Sequence, residues 1–134
     1  MSQDVDASNT AGVRIPTDLM AEFIDDQGRR RAITFDANFS MGFDPALDYR
    51  SRFVETLGNL EIRILDPHDL VCMKAARWAP NDIEDVEALA RSGVLDLATL
   101  SVRADEAAMQ YYGNDTEYRA NLDAALDIVR RRGR

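Results

Sequence analysis

A change in hydrophobic period near Asp66 and Pro67 constrains the fold of this chain more than any other feature. Just before it, residues 60–64 alternate apolar and polar, the period-two pattern of a strand with one buried face. After it, apolar residues recur every three or four positions, with interruptions at Gly93 and Gly113. The sequence therefore predicts an α+β fold, in which a small mixed sheet is followed by a helical C-terminal half of about four helices.

The length of 134 residues is that of one ordinary domain. We expect a single domain over 1–134, with a sheet region that contains one helix at 1–65 and a helical region at 66–134. No apolar run approaches the roughly 20 residues of a membrane span, and "MSQDVDASNT" has neither the basic nor the apolar part of a secretory signal. These features predict a cytoplasmic protein without a membrane partner.

In the first half, "IPTDLMAEFIDDQG" has apolar residues at helical spacing and a glycine at its end. This pattern predicts a helix from about Thr17 to Gln27 that stops at Gly28. The following stretch, from Arg29 to Tyr49, is compatible with a strand or with an irregular connection. Gly58-Asn59 is a hairpin signal between two extended runs, so two antiparallel strands are expected around it.

Helix start and stop signals divide the second half into four segments. The first helix opens at Asp66-Pro67 and runs to about Ala79, and His68 in its first turn is expected to be exposed. The second helix is predicted to start with a capping box of Asn81 and Glu84 and to end at Gly93. The third starts at Asp96 and ends at Gly113, and the fourth starts with a second capping box of Asn114 and Glu117.

Within this region, "KAARWAPNDIEDV" places two cations and then two carboxylates at i, i+3 spacing on either side of a proline. The short connection folds the two helices back on each other, which brings Lys74 and Arg77 close to Asp82 and Asp85. One interpretation is a structural ion-pair bracket, in which Asp82 is better hydrated than Asp85. The other is that Lys74 or Arg77 faces a cleft and binds phosphate.

The segment "ILDPHDLVCMKAARWAPNDIEDVEALARSGVLD" resembles a stretch of the small nucleotidyltransferase-like proteins related to the AbiEii-type toxins of abortive-infection and toxin–antitoxin systems. In those proteins, a strand is followed by Pro-x-Asp-Leu, then by Lys and Arg, and then by paired aspartates. "SQDVDA" is similar to the family's Asp-x-Asp strand. Both motifs occur in the family's order, so the resemblance covers nearly the whole chain.

The resemblance implies that Asp4 and Asp6 are catalytic residues that bind Mg²⁺, and that the substrate is a nucleoside triphosphate. It also implies a third carboxylate from a neighbouring strand, for which Glu61 in "LEI" is the first candidate and Asp36 in "TFDAN" the second. Either residue is alternatively an ordinary strand residue facing solvent. Lys74 and Arg77 are the nucleotide-binding candidates, and Lys74 is the one expected to reach the metal site.

One departure from the family's pattern concerns the Gly-Gly/Ser turn that holds the triphosphate upstream of the Asp-x-Asp strand. Because Met1 lies only three residues before Asp4, we expect a degenerate module that binds a protein partner or regulates a toxin–antitoxin or defence-type system. An active Mg²⁺-dependent nucleotidyltransferase that modifies a protein or RNA is the alternative. Self-association is expected through an uncovered edge or apolar patch. The net charge of −8 disfavours RNA as a partner, although Arg29–Arg31 form a basic run.

Overall fold

The structure, a computed structural model, describes residues 4–6, 20–36, 50–58 and 60–132, with the backbone alone defined at positions 4–6, 34–36, 57 and 60. The chain forms two compact units, Met1–Met41 and Gly42–Arg134.

The first unit contains a three-stranded mixed sheet. Its strands are β1 (Asp4–Asp6), β2 (Met20–Ile24) and β3 (Arg30–Asp36), in the order β1-β3-β2. The central strand β3 pairs in parallel with β1 and antiparallel with β2. The predicted mixed sheet and the Asp4–Asp6 strand are therefore confirmed.

The helix predicted from Thr17 to Gln27 is wrong, because Met20–Ile24 is the strand β2. Four apolar residues at helical spacing are too few to separate a short helix from a strand, and here pairing with β3 decides the conformation. Gly28, expected as a helix stop, is a turn residue with φ of +73°. The carboxylate of Asp25 fixes this turn by accepting hydrogen bonds from the backbone N–H groups of Gln27 and Arg29.

In its described part, the second unit contains a two-stranded antiparallel hairpin of β4 (Arg52–Leu57) and β5 (Leu60–Ile64). Its turn starts at Gly58, where φ is +61°, a backbone conformation that glycine adopts without the steric cost of a Cβ atom. The two strands predicted around Gly58 are confirmed.

Four helices follow in the described part of the second unit: α1 (Pro67–Arg77), α2 (Pro80–Ser92), α3 (Leu97–Gln110) and α4 (Asp115–Arg132). The predicted α+β class with a helical C-terminal half is thus confirmed. Asp66 and Asp96 cap α1 and α3 through their side chains, and Asn114 accepts from the backbone N–H of Glu117 at the start of α4.

The predicted cap of α2 is wrong. The helix begins at Pro80, and the Asp82 side chain, rather than Glu84, reaches back to accept from the backbone N–H of Ala79 at 2.9 Å. Pro80 suits the first helical position because its missing N–H would have no partner there.

The described core lies among the four helices. Its buried apolar residues are Val71, Cys72, Ala75, Val86, Leu100, Ala104, Ala107, Ala108, Tyr118, Leu122, Ala125 and Val129. Tyr118 stacks on Tyr111 with ring centroids 4.1 Å apart and donates its hydroxyl to the carbonyl of Cys72. None of the described helices is both long and apolar enough to cross a membrane.

Candidate functional site

Three acidic positions meet at one end of the first sheet. Asp6 is paired with Asp36 on the adjacent parallel strand, and Asp4 is paired with Thr34. Alternate residues of a strand lie on one face, and residues paired across neighbouring strands share that face. Positions 4, 6 and 36 therefore belong to the same face, which we call the acidic face.

The same register makes the opposite face mainly apolar. Val5 is paired with Phe35, and Ala21 is paired with Ile33 on the other side of β3. Phe23 and its partner Arg31 continue this face toward the β2–β3 turn. The face opposite the acidic positions is thus mainly apolar, whereas the acidic face also carries Met20 and Ile24 of β2.

The neighbouring strand of β1 is β3, so the register supplies Asp36 as the third carboxylate position. Glu61, the first candidate from sequence, lies on β5 in the other described sheet, where it pairs with Thr56. Its carboxylate accepts a hydrogen bond from the side chain of Arg63. The strand neighbour of the Asp-x-Asp pair is therefore the second sequence candidate.

The four charged residues of "KAARWAPNDIEDV" come together between α1 and α2. Lys74 Nζ lies 2.7 Å from Asp85 Oδ2 and 3.4 Å from Asp82 Oδ1. Arg77 donates two hydrogen bonds to Asp82, from Nε to Oδ2 at 2.8 Å and from Nη2 to Oδ1 at 2.7 Å. This is the cross-helix bracket that the charge spacing predicts.

Burial within the bracket differs from the expectation. The Asp82 side chain is only 1% exposed and that of Asp85 is 14% exposed, so Asp82 is the less hydrated of the two. Hydrogen bonds from Arg77 lower the pKa of Asp82, and they outweigh the burial that would raise it. Asp82 therefore stays ionised and holds Arg77, Lys74 and the Ala79 backbone together.

A second charged contact, at Asp69, was not predicted from the sequence. Asp69 is the acidic residue of "PHDL", and its carboxylate is almost fully buried. Arg50 binds it with Nε at 2.6 Å and Nη2 at 2.8 Å, and Arg103 Nε lies 3.9 Å away. The sequence signal that could have pointed to this ion pair is the Pro-x-Asp-Leu motif, because a carboxylate buried at a helix start requires a cationic partner.

His68, expected to be exposed, is buried with 8% of its surface accessible. The backbone N–H of Asp96 donates to its Nε2 at 2.9 Å, while Nδ1 lies 2.9 Å from the carboxylate of Asp66. The first contact requires a lone pair on Nε2, so the proton is on Nδ1 and points to Asp66. His68 thus joins the start of α1 to the start of α3.

Cys72, the single cysteine of the sequence, is a packing residue of the core. Burial raises the pKa of its thiol to about 12, so the reactive thiolate is not formed near neutral pH.

The comparisons with known proteins give one match. No curated protein and no solved structure matches the chain. The family model described as "Nucleotidyltransferase of unknown function (DUF6036)" matches residues 1–132. The predicted nucleotidyltransferase-like family is therefore confirmed, while the closer resemblance to AbiEii-type toxins stays a prediction. The chain belongs to the nucleotidyltransferases of unknown function grouped as DUF6036.

Proposed function

We propose that this protein is a metal-dependent nucleotidyltransferase whose site is the acidic face of the first sheet. The observation that carries the proposal is the pairing of Asp6 with Asp36, which adds a third acidic position beside the Asp4-x-Asp6 pair. Membership of the nucleotidyltransferase family supports the same chemistry.

The donor set suits Mg²⁺. Mg²⁺ prefers hard oxygen ligands and is usually held by one or two carboxylates together with substrate phosphates, and the acidic face offers three carboxylate positions on adjacent strands. When bound, such a cation neutralises charge on a triphosphate and orients it for attack at the α-phosphate. Asp4, Asp6 and Asp36 would hold the cation from two paired strands, which would set where the phosphates bind.

A cation titration tests this site without knowledge of the acceptor. Mn²⁺ would stand in for Mg²⁺ and be followed by electron paramagnetic resonance, while pyrophosphate release is measured with each nucleoside triphosphate. We expect Asp6→Asn and Asp36→Asn to weaken cation binding and to stop pyrophosphate release. Asp26→Asn, which removes the same charge from an exposed turn of the same unit, should change neither.

Glu61→Gln separates the two candidates for the third carboxylate. We expect this variant to bind the cation as the parent protein does. If Glu61→Gln loses cation binding while Asp36→Asn retains it, Glu61 is the third ligand and the assignment of Asp36 is wrong.

A second candidate function is a non-catalytic module that binds a protein partner, as in a toxin–antitoxin or defence-type system. It is favoured by the contacts of Lys74 and Arg77, the cations that the resemblance assigns to the nucleotide. Both are bound to carboxylates of their own unit, and a cation held in this way has fewer donors for phosphate. Absence of pyrophosphate release with all four ribonucleotides, together with an unchanged cellular phenotype in Asp4→Asn/Asp6→Asn/Asp36→Asn, would favour this candidate over catalysis.

A further inference from the structure

A groove runs between α3 and α4 on the surface of the helical unit. Its apolar floor is formed by Ala104 and Ala108 of α3 with Leu122 and Leu126 of α4. Two alanines on one side allow the backbone of a third helix to approach closely, and a groove between two packed helices accepts the side-chain ridge of another.

The charged residues of the groove are mainly acidic. Asp105 and Asp123 are exposed residues that line it, and neither carboxylate has an ion-pair partner within residues 50–58 and 60–132. Arg119 also lines the groove, but Asp115 neutralises it, with both carboxylate oxygens 3.0 Å from its Nε. The groove therefore presents negative charge over an apolar floor.

Two exposed apolar side chains extend this surface along α3. Val102 is 56% exposed and Met109 is 74% exposed, and their spacing of seven residues puts them on one side of the helix. Asp105 lies between them and the alanines of the floor. The groove and the outer side of α3 thus form one continuous amphipathic surface, which we call the α3–α4 surface.

We propose that the α3–α4 surface binds a cationic amphipathic helix of a partner protein. The partner's apolar side chains would cover the alanine and leucine floor with Met109, and its Lys or Arg side chains would pair with Asp105 and Asp123. The proposal goes beyond nucleotide transfer and does not depend on it, because every residue involved lies in the helical unit.

Charge favours a cationic partner over a second copy of this chain. The net charge is −8, and Asp105 and Asp123 are the two groove carboxylates without an ion-pair partner among residues 50–58 and 60–132. Two copies brought together here would oppose like charges, whereas a basic helix satisfies both carboxylates.

Two synthetic peptides test the proposal directly on the full chain. Both are 18-residue helices with leucine on one face, flanked by lysine in one peptide and by glutamate in the other. We expect the lysine peptide alone to bind in a fluorescence anisotropy titration at low salt. Asp105→Asn/Asp123→Asn should weaken its binding by about two- to thirtyfold, the effect of two exposed ion pairs. Glu84→Gln/Glu87→Gln, which removes the same charge from the surface of α2, should leave binding unchanged.

The apolar contact has its own variant, Met109→Ser, which we expect to weaken the lysine peptide while the thermal melting curve stays that of the parent. Equal loss in the α2 control variant would reduce the effect to general charge attraction and overturn the proposal, as would binding that is unaffected by Met109→Ser. If light scattering shows that the peptide-free chain self-associates and that Met109→Ser abolishes this, the surface binds a second copy and the proposed occupant is wrong.

Discussion

Asp82 makes more contacts than any other carboxylate of the bracket. It accepts two hydrogen bonds from Arg77, one from the backbone of Ala79, and a longer one from Lys74. It is also nearly inaccessible to water. Without Asp82, the Ala79 N–H loses its acceptor and the buried Lys74 keeps only Asp85, whereas Arg77, which is 66% exposed, regains water.

We therefore expect Asp82→Ala to lower the free energy of unfolding by about 3 kcal/mol and Asp85→Ala by only about 1 kcal/mol. Asp85 contacts Lys74 at 2.7 Å but is better hydrated, so water replaces part of what the mutation removes. Urea denaturation followed by circular dichroism measures both values. A larger loss in Asp85→Ala would show that the Lys74 contact dominates the bracket.

At His68, we expect the hydrogen bond accepted by Nε2 to contribute more to stability than the packing of the ring. Gln has an amide oxygen near the position of Nε2 and can accept from the Asp96 N–H, whereas Ala cannot. We expect His68→Ala to lose about 2 kcal/mol of stability and His68→Gln about half of that, because a buried backbone N–H without a partner is costly. Equal losses in the two variants, again by urea denaturation, would mean that ring packing rather than this hydrogen bond holds α1 to α3.

At the scale of elements, α4 is attached to α1 by hydrogen bonds to main-chain carbonyls. Tyr118 donates to the carbonyl of Cys72, and Asn121 donates through its side-chain amide to the carbonyl of Ala75 at 2.9 Å. The carbonyl of Ala75 lies in the last turn of α1, where no intrahelical donor follows, so Asn121 satisfies a group that the helix leaves unpaired. These bonds fix the position of α4 along α1 as well as its distance.

The connection between α3 and α4 depends on Gly113. A Cβ atom there would overlap the ring of Tyr111, which is stacked on Tyr118. We expect Gly113→Ala to lower the free energy of unfolding by about 1 to 3 kcal/mol, the usual cost of overpacking. In a double-mutant cycle followed by thermal denaturation, Gly113→Ala should cost much less stability in a Tyr111→Ala background, since the clashing ring is absent. Additive effects of the two mutations would contradict this explanation.

How well the sequence predicts an element depends on the element's length. Each of the four helices has 11 or more residues, and their periodicity, caps and glycine stops placed them within a few residues. The five residues of β2 carry too little pattern, and only pairing with β3 made them a strand. Asp82 was missed as the α2 cap because Asn81 has the more usual capping side chain, while Pro80 had already set the helix start.

At the scale of the whole chain, one part of the candidate site could be predicted from the sequence and another part could not. The Asp4-x-Asp6 pair could be predicted because both residues lie within three positions of each other. Asp36 could be named only as the second candidate after Glu61, since the choice depends on which strand lies next to β1, and that order arises from long-range pairing. The Arg50–Asp69 pair was missed for the same reason, because its members are 19 residues apart.

Acid stability follows from the ionised carboxylates of the helical unit. Hydrogen bonds lower the pKa of Asp82 and Asp96 below the ordinary value of 3.8, and for Asp66, burial raises the pKa but the bonds from His68 more than compensate. A group with a lowered pKa in the folded state stabilises that state fully at pH values above its ordinary pKa, and this contribution is lost as the pH falls through the folded-state pKa.

We expect the free energy of unfolding to fall steadily below pH 4, as measured by urea titrations with the fluorescence of Trp78, the only tryptophan. Asp82→Asn, which cannot ionise, should lose less stability than the parent between pH 5 and pH 3. Parallel pH profiles for the two proteins would show that Asp82 titrates alike in the folded and unfolded chains.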